Sequence, residues 1–216
     1  MDSVAGFPDE ILVADTGSKD GTKAAARERG ARVFDFPWRD DFAAARNFSF
    51  SQGRGTYFFW LDADDVVRPD QRRKLLDLKE RLGRERCLPD VVMMKYAAAF
   101  RRDGSLAAAF YRERLIRRGP GAVWKGRVHE TVCPFGIIWK EDVWIEHRKM
   151  RIRDPERNLR ILESMRKNGE EFGPREQYYY EMELAFARRC REAALEDRKL
   201  LTPPGNERFV NGRYLW

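Results

Sequence analysis

The sequence of 216 residues has little of several features that mark specialised classes of protein. It contains only three cysteines, at positions 87, 133 and 190, and their odd number and scattered spacing indicate neither a disulfide framework nor a zinc cluster. No apolar run approaches the length that spans a bilayer, and the first residues carry no signal-peptide pattern. Internal repeats and low-complexity segments are also missing. We therefore expect a protein without a transmembrane segment, in a reducing, cytoplasmic setting.

The charge of the chain is positive but not concentrated. The formal net charge is +7, with basic residues spread along the sequence and interleaved with acids. A patch that binds nucleic acid would instead cluster its lysines and arginines. The hydrophobic content of 43% is sufficient for a packed core. We expect one main domain whose partner is a small phosphate-bearing substrate rather than nucleic acid.

An unbroken apolar run leads directly into a group of acids near the middle of the chain. Residues 57–61 are all apolar or aromatic, and Asp62, Asp64 and Asp65 follow. Such a run predicts a strand buried on both faces of a parallel sheet, with the acids at its carboxyl end, where open α/β sheets bind ligands. Asp62 and Asp64 flank a small residue, and their oxygens suit Mn²⁺ or Mg²⁺. The alternative is that the acids merely mark entry into solvent.

Strands and helices alternate in the first part of the sequence. Predicted strands at residues 11–14, 31–36 and 57–61 are separated by predicted helices at residues 22–29, 42–52 and 69–82. Asp40 or Asp41 is expected to cap the second helix, and Pro69 lies in the first turn of the third. The order βαβαβα predicts an α/β fold with a mostly parallel sheet flanked by helices.

The later part of the sequence no longer alternates strands and helices. Two predicted strands, residues 91–100 and 106–116, flank an Asp103-Gly104 hairpin turn, and a strand ending at His147 follows. From Arg157 the pattern is helical, with Leu159, Leu162 and Met165 on one face, and the stretch 202–216 reads as irregular. We therefore predict an α/β domain over residues 1–150 and a helical C-terminal extension over residues 151–216.

Five segments, in order, resemble family 2 glycosyltransferases of the GT-A fold. They cover roughly residues 9–165, and are Asp15-Thr16-Gly17-Ser18-Lys19-Asp20-Gly21-Thr22, Asp41-Phe42-Ala43-Ala44-Ala45-Arg46-Asn47, Trp60-Leu61-Asp62-Ala63-Asp64-Asp65, Gly126-Arg127-Val128-His129-Glu130 and Ile145-Glu146-His147. The resemblance implies a GT-A-like fold. It also implies an inverting transfer of a sugar from a nucleotide-sugar donor, such as a UDP-sugar, to an acceptor hydroxyl, assisted by Mn²⁺ or Mg²⁺.

The resemblance also implies roles for single residues. Asp15 would contact the nucleobase, Asp62 the ribose and Asp64 the metal, with Asp20 in the same donor-binding segment as Asp15. Arg46 on the alanine-rich helix could reach a phosphate, although an ordinary solvated helix face is an equal alternative.

An inverting transfer needs a general base, and Glu130 is our first candidate. It follows Gly126 closely and would otherwise be a surface acid. His147 is the candidate ligand to the metal or diphosphate, and its alternative is a half-buried strand histidine. Glu141-Asp142 ranks below Glu130 as the base because we expect it to lie in a surface turn.

One departure from the family pattern concerns the beginning of the chain. The family opens with an apolar strand, a Lys-Asn-Glu-Glu turn and a helix, whereas residues 1–4 resemble only the tail of that helix. We expect the loss of this unit to remove one wall of the nucleotide pocket, and to weaken both stability and nucleotide binding.

Two other functions compete with sugar transfer. Asp62-Ala63-Asp64-Asp65-Val66 fits the signature of haloacid dehalogenase-like phosphatases, with Asp62 as nucleophile and Asp64 as acid/base. That class also needs a second acidic strand end with a nearby lysine, and after residue 70 no apolar run ends in paired acids apart from Glu141-Asp142. The other alternative is a degenerate glycosyltransferase domain that binds a partner through its helical C-terminal part.

Overall fold

The computed structural model describes residues 1–148 and 154–200, with side chains as far as residue 189. The predicted irregular stretch 202–216 lies outside the described residues. The chain divides into two compact units, Met1–Arg151 and Ile152–Trp216. Among the described helices, none is both long and apolar enough to cross a membrane.

The first unit begins with a short 3₁₀ turn and contains three helices and nine strands among its described residues. In chain order the elements are the 3₁₀ turn Asp2–Val4, β1 Leu12–Asp15, α1 Thr22–Glu28, β2 Arg32–Asp35, α2 Phe42–Ser51, β3 Tyr57–Phe59, β4 Asp65–Val66, α3 Pro69–Arg84, β5 Val91–Phe100, β6 Leu106–Arg117, β7 Trp124–Lys125, β8 Thr131–Val132 and β9 Ile138–His147. The second unit contains α4 Arg157–Lys167 and α5 Pro174–Leu200.

The helix starts follow local capping chemistry. Asp41 caps α2, because its Oδ1 accepts a hydrogen bond of 2.8 Å from the backbone N–H of Ala44, which the helix leaves unpaired. Pro69 occupies the first turn of α3, where its missing N–H costs nothing. Both starts are as predicted. The end of α3 is not, since the helix continues through Gly83 to Arg84.

The sheet arrangement differs from the mostly parallel one predicted. The main sheet has the strand order β3-β6-β5-β9-β4, and only the β5–β9 pair in it is parallel. β1 and β2 form a separate parallel pair, and β7 and β8 a separate antiparallel one. The mixed α/β composition is therefore confirmed, whereas the mostly parallel sheet is not.

The strand β3 is the clearest correction. Sequence reasoning made it a strand buried on both faces, but all three of its residues are only half-buried. It is the end strand of the five-stranded sheet. Its partner is β6, which runs antiparallel to it, with Phe58 opposite Ile116. Within residues 1–148, β1 pairs only with β2 and β3 only with β6.

Two hydrophobic clusters pack on the two faces of the main sheet. Leu115 and Ile116 are neighbours on β6 and point to opposite faces, and they belong to different clusters. The first cluster joins α3 to β5, β6 and β9 and contains Val4, Phe7, Val67, Leu75, Leu78, Val92, Met94, Leu115, Val143 and Ile145. The second joins α2 to β6, β7 and β8 and contains Ala43, Trp60, Ile116, Ala122, Trp124 and Val132. Trp60 therefore anchors the chain two positions before the first of the acids, Asp62.

The second unit packs α4 against α5. The predicted face of α4 is confirmed, since Leu159, Leu162 and Met165 are all buried, together with Ile161. Asn158 on α4 also donates a hydrogen bond of 3.0 Å to Glu183 on α5. An apolar stripe of this kind needs a partner to cover it, and α5 provides one.

Candidate active site

Three carboxylates lie in a tight turn between β3 and β4, which we name the acid turn (residues 62–65). The turn is closed by a hydrogen bond of 3.0 Å from the backbone N–H of Asp65 to the carbonyl of Asp62. β4 pairs with the end of β9, so that Asp65 lies opposite His147. A second backbone bond of 2.8 Å runs from Arg148 to the carbonyl of Asp64. This pairing brings the acids to the histidine that sequence reasoning associated with them.

Asp65 is the buried carboxylate of the acid turn. Its Oδ2 accepts hydrogen bonds from Arg114 Nη1 at 2.7 Å and from the backbone N–H of Asp62 at 3.0 Å. Its Oδ1 lies 3.1 Å from His147 Nδ1, and the side chains of Asp65 and Arg114 are both 0% exposed. Burial raises the pKa of Asp65, but the hydrogen bond with His147 and the charge of Arg114 hold that pKa below its usual value overall.

Asp62 and Asp64 present their carboxylates towards solvent. Asp64 Oδ1 lies 3.4 Å from His147 Nδ1, and its side chain is 23% exposed. Asp62, at 36%, is more exposed still. The hydrogen bond with Asp65 raises the pKa of His147 above its usual value overall. Burial lowers this pKa, whereas the charges of Asp64 and Asp65 raise it further. Asp64 therefore lies beside the same ring nitrogen of His147 that faces Asp65.

A divalent cation suits this group of side chains. Asp62, Asp65 and His147 each offer a ligand atom, and these atoms lie within 4.8 Å of one another. Carboxylate oxygens with an imidazole nitrogen are donors that Mn²⁺ accepts, and Mg²⁺ also prefers the oxygens. Asp65 was not among the predicted ligands. Both of its oxygens already have partners, whereas the carboxylates of Asp62 and Asp64 retain exposed surface.

Arg46 connects the acid turn to the predicted base. Its Nη2 donates to Asp62 Oδ1 and its Nε to Glu130 Oε1, both at 2.6 Å. The guanidinium lies 4.7 Å from the ring centroids of both Trp60 and Trp124. Burial lowers the pKa of Arg46, but the charges of Asp62 and Glu130 raise it above its usual value overall. Arg46 is therefore a half-buried, paired cation rather than part of a solvated helix face.

The loop that carries Glu130 has a specialised backbone. Gly126 has φ +91°, and a Cβ there would lie 3.2 Å from the carbonyl oxygen of Val128. His129 has φ +51°, which is uncommon for a residue with a side chain. The carbonyl of Arg127 accepts a hydrogen bond of 2.8 Å from the first residue of α2. The Glu130 side chain is only 11% exposed, so it is not a surface acid.

Asp15 and Asp20 lie in the loop between β1 and α1. Asp15 is buried, and its Oδ1 accepts hydrogen bonds from the backbone of Gly17 at 3.0 Å and Ser18 at 2.9 Å. Burial raises the pKa of Asp15, but the hydrogen bonds from Ser18 hold it below its usual value overall. Asp20 is exposed and accepts a bond of 3.0 Å from the backbone of Thr22.

The structure thus brings together five predicted site residues in two contacting sets: Arg46 with Asp62 and Glu130, and His147 with Asp64. Ligand atoms of Asp62 and His147 lie within 4.8 Å of each other. The described contacts of Asp15 lie elsewhere, with its own loop and with Lys23, whose Nζ is 3.6 Å away.

The expected surface turn at Glu141-Asp142 is wrong, because both residues lie within β9. Asp142 Oδ2 accepts a hydrogen bond of 2.9 Å from Lys74, and Lys95 bonds the other oxygen. The bonds from these lysines lower the pKa of Asp142 to about 2. A carboxylate held so firmly in its charged form is a poor proton acceptor at neutral pH.

Sequence reasoning assigned no site role to three residues that contribute to the site: Asp65, Arg114 and Tyr96. The Tyr96 ring lies 5.3 Å from the ring of His147, and burial raises the pKa of Tyr96 to about 12. Arg114 stands beside Leu115 and Ile116 in a predicted strand. A charge next to such an apolar pair was the available signal for a buried ion pair.

Comparisons with known proteins bear on this arrangement. The family model described as glycosyl transferase family 2 matches residues 1–144, which include every residue of the site except His147. A TPR repeat-containing protein of Synechococcus elongatus is 45% identical over 65 residues. That match covers 30% of this chain and 16% of the cyanobacterial protein, so the chain corresponds to a small part of that relative. On the strength of the family match, the chain belongs to glycosyl transferase family 2.

Proposed function

We propose that this chain transfers a sugar from a nucleotide-sugar donor, a UDP-sugar, to an acceptor hydroxyl with inversion at the anomeric carbon. The observation that carries the proposal is the connected group around the acid turn. Within a glycosyltransferase-family domain, it combines partly exposed carboxylates and a histidine with a half-buried arginine and a glutamate.

The acid turn is proposed to hold the divalent cation. Asp64 and His147 are the assigned ligands, and Asp62, whose carboxylate is partly exposed, faces the ribose or shares the ion. A bound Mn²⁺ or Mg²⁺ would neutralise charge on the nucleoside diphosphate that leaves as the glycosidic bond breaks. Asp65 keeps its contacts with Arg114 and His147, and through the second contact it holds the histidine ligand in place.

Glu130 is proposed as the general base that takes the proton from the attacking hydroxyl. Arg46 fixes one oxygen of Glu130 through a hydrogen bond of 2.6 Å, which restricts the orientation of the carboxylate. The same guanidinium is the candidate contact to a donor phosphate, since arginine recognises phosphate through its planar fork. Asp15 and Asp20 are proposed to contact the nucleotide from the loop after β1.

The test is a release assay with a panel of nucleotide-sugars. The chain is incubated with UDP-, GDP- and TDP-sugars in Mn²⁺ or in EDTA, and liberated nucleoside diphosphate is measured with candidate glycan, protein and lipid-linked acceptors. We expect release from a UDP-sugar only with the metal, and an NMR spectrum of the product showing the anomeric configuration opposite to that of the donor. Retained configuration would contradict the inverting mechanism. Release of inorganic phosphate from p-nitrophenyl phosphate would favour the phosphatase alternative.

A non-catalytic binding domain is the second candidate, and one observation favours it. Arg46 occupies Asp62 and Glu130 at once, so two of the assigned site carboxylates are paired in this structure. An active enzyme has to exchange at least one of these contacts when the donor binds. A folded chain that binds no nucleotide, with or without metal, would support this second candidate.

A further inference from the structure

The acid turn rests on an ion pair that the proposed chemistry does not use directly. Asp65 and Arg114 have 0% exposed side chains, and the 2.7 Å bond joins Arg114 Nη1 to Asp65 Oδ2. A fully buried charge pair is expensive to desolvate and is a weak source of stability by itself. Nor does the guanidinium satisfy all of its donors, because its Nε and Nη2 are buried without a described hydrogen-bond partner. Such a pair calls for an explanation other than stability.

The geometry of Asp65 supplies one. Its Oδ2 accepts from Arg114 and from the backbone of Asp62, and its Oδ1 faces His147 Nδ1 at 3.1 Å. An ionised carboxylate only accepts, so His147 donates through Nδ1–H and its lone pair lies on Nε2. Histidines that bind metals usually donate their other N–H to a carboxylate in this way.

Arg114 is held rigidly in turn. Its Nη1 also donates to the carbonyl of Trp60 at 3.2 Å, and its guanidinium lies 3.9 Å from the centroid of the Trp60 ring. Trp60 belongs to the core cluster under α2 and lies two positions before the first residue of the acid turn. The arginine therefore links the core, the backbone before the turn and the carboxylate that faces the histidine.

We propose that Arg114 is a positioning residue of the metal site: through Asp65 it fixes the orientation of His147 and leaves Nε2 as the nitrogen that binds the cation. This inference rests on the proposed function for the identity of the cation. The orientation of His147 does not depend on it and can be measured without a donor.

The experiment compares Arg114→Met with a matched control, Arg117→Met, on the same strand. Arg117 is 45% exposed and pairs only loosely with Asp90, at 3.6 Å. The first readout is the NMR spectrum of the two histidine rings, assigned with His129→Gln and His147→Gln. The second is Mn²⁺ affinity, followed by the paramagnetic broadening of the His147 signals.

For Arg114→Met we expect the His147 resonances to lose their single, Nδ1-protonated form, and Mn²⁺ affinity to fall roughly 10- to 100-fold, as for other partners of metal-binding histidines. Arg117→Met should match the parent in both. Arg114→Lys should recover part of both readouts, because it keeps the charge beside Asp65 but loses the fork.

A purely structural pair would behave differently in the double variant Asp65→Ala/Arg114→Met, which leaves no unpaired buried charge. We expect this variant to melt closer to the parent than Arg114→Met does, while Mn²⁺ affinity stays low. Recovery of Mn²⁺ affinity together with stability would overturn the proposal, as would an Arg114→Met variant with parental His147 signals. If the parent binds no Mn²⁺ but Arg114→Met still disorders His147, the proposed function fails and the positioning inference stands.

Discussion

At the scale of single residues, the site is organised by two arginines with different surroundings. Arg46 is partly accessible and bonds two carboxylates that are assigned to substrate chemistry, Asp62 and Glu130. Arg114 is fully buried and bonds one carboxylate that faces another protein residue. The first can exchange partners when a phosphate arrives, whereas the second has no route to solvent. We therefore propose that Arg46 binds substrate and that Arg114 supports the site.

The role of Glu130 gives the first prediction at this scale. Glu130→Gln keeps the size of the side chain and an oxygen for Arg46, but it cannot take a proton. We expect donor binding near the parent's and a transfer rate lower by roughly 10²-fold or more, the usual weight of general-base catalysis. Steady-state kinetics of nucleotide release with a fixed acceptor measure both.

The matched control for Glu130 is Asp142→Asn. Since the pairing with lysines holds the pKa of Asp142 at about 2, its loss should leave the transfer rate close to that of the parent. A larger loss of transfer rate in Asp142→Asn than in Glu130→Gln would indicate that Asp142, on β9, is the general base.

The cation gives a second prediction. Asp64→Asn removes the charge of the proposed ligand at a partly exposed position, so Mn²⁺-dependent UDP binding should be lost while the melting temperature hardly changes. Isothermal titration with UDP in Mn²⁺, with Asp103→Asn in the exposed hairpin turn as control, is the measurement. Parental UDP affinity in Asp64→Asn would show that Asp64 is not a metal ligand.

At the scale of elements, α2 is the helix that joins the acid turn to the Glu130 loop. Asp41 caps its start, and the backbone N–H of Phe42 donates to Arg127 in that loop at 2.8 Å. Asn47, one residue after Arg46, exchanges two hydrogen bonds with the backbone of Trp124 on β7, at 2.9 and 3.0 Å. A shift of α2 would therefore displace Arg46 from both carboxylates at once.

Removal of the Asn47 contact tests this coupling. Asn47→Ala leaves the backbone N–H and C=O of Trp124 without these partners, which should cost about 1–3 kcal/mol of unfolding free energy. We also expect a higher KM for the donor because Arg46 loses its support. Ser51→Ala, at the exposed end of the same helix, should change neither the urea midpoint nor KM. A destabilised Asn47→Ala with parental KM would show that α2 does not position Arg46.

The elements also show what the sequence could predict and where it failed. The start of α2 at its Asp41 cap and the β5–β6 hairpin around Asp103-Gly104 depend on neighbouring residues, and both were correctly placed. The strand partners of β3 were not, because pairing with β6 brings together residues far apart in the chain, and periodicity carries no information on such partners.

The site divides in the same way. Asp62, Asp64 and His147 could be predicted because each stands at or just beyond a predicted strand end. Arg114 was not predicted, because the apolar pair Leu115-Ile116 beside it indicates burial but does not identify its partner Asp65, 49 positions away.

At the scale of the whole molecule, the first unit is proposed to bind a nucleoside diphosphate together with a divalent cation. The chain is positively charged and contains a glycosyltransferase-family domain. In this domain a group of carboxylates and a histidine is proposed to hold a cation that binds the nucleoside diphosphate. Ligand binding to the native state alone raises the melting temperature by mass action. The claim can therefore be tested before the donor sugar or the acceptor is known.

The most direct measurement is a thermal melt of the whole chain with UDP, in Mn²⁺ and in EDTA, with ADP and GDP for comparison. At UDP concentrations about 100-fold above Kd, the stabilisation of about 2.7 kcal/mol should raise the melting temperature by roughly 5–11 °C in Mn²⁺. The rise should be absent in EDTA and smaller with ADP or GDP. A melting temperature that UDP leaves unchanged in Mn²⁺, or raises equally in EDTA, would contradict the proposed site.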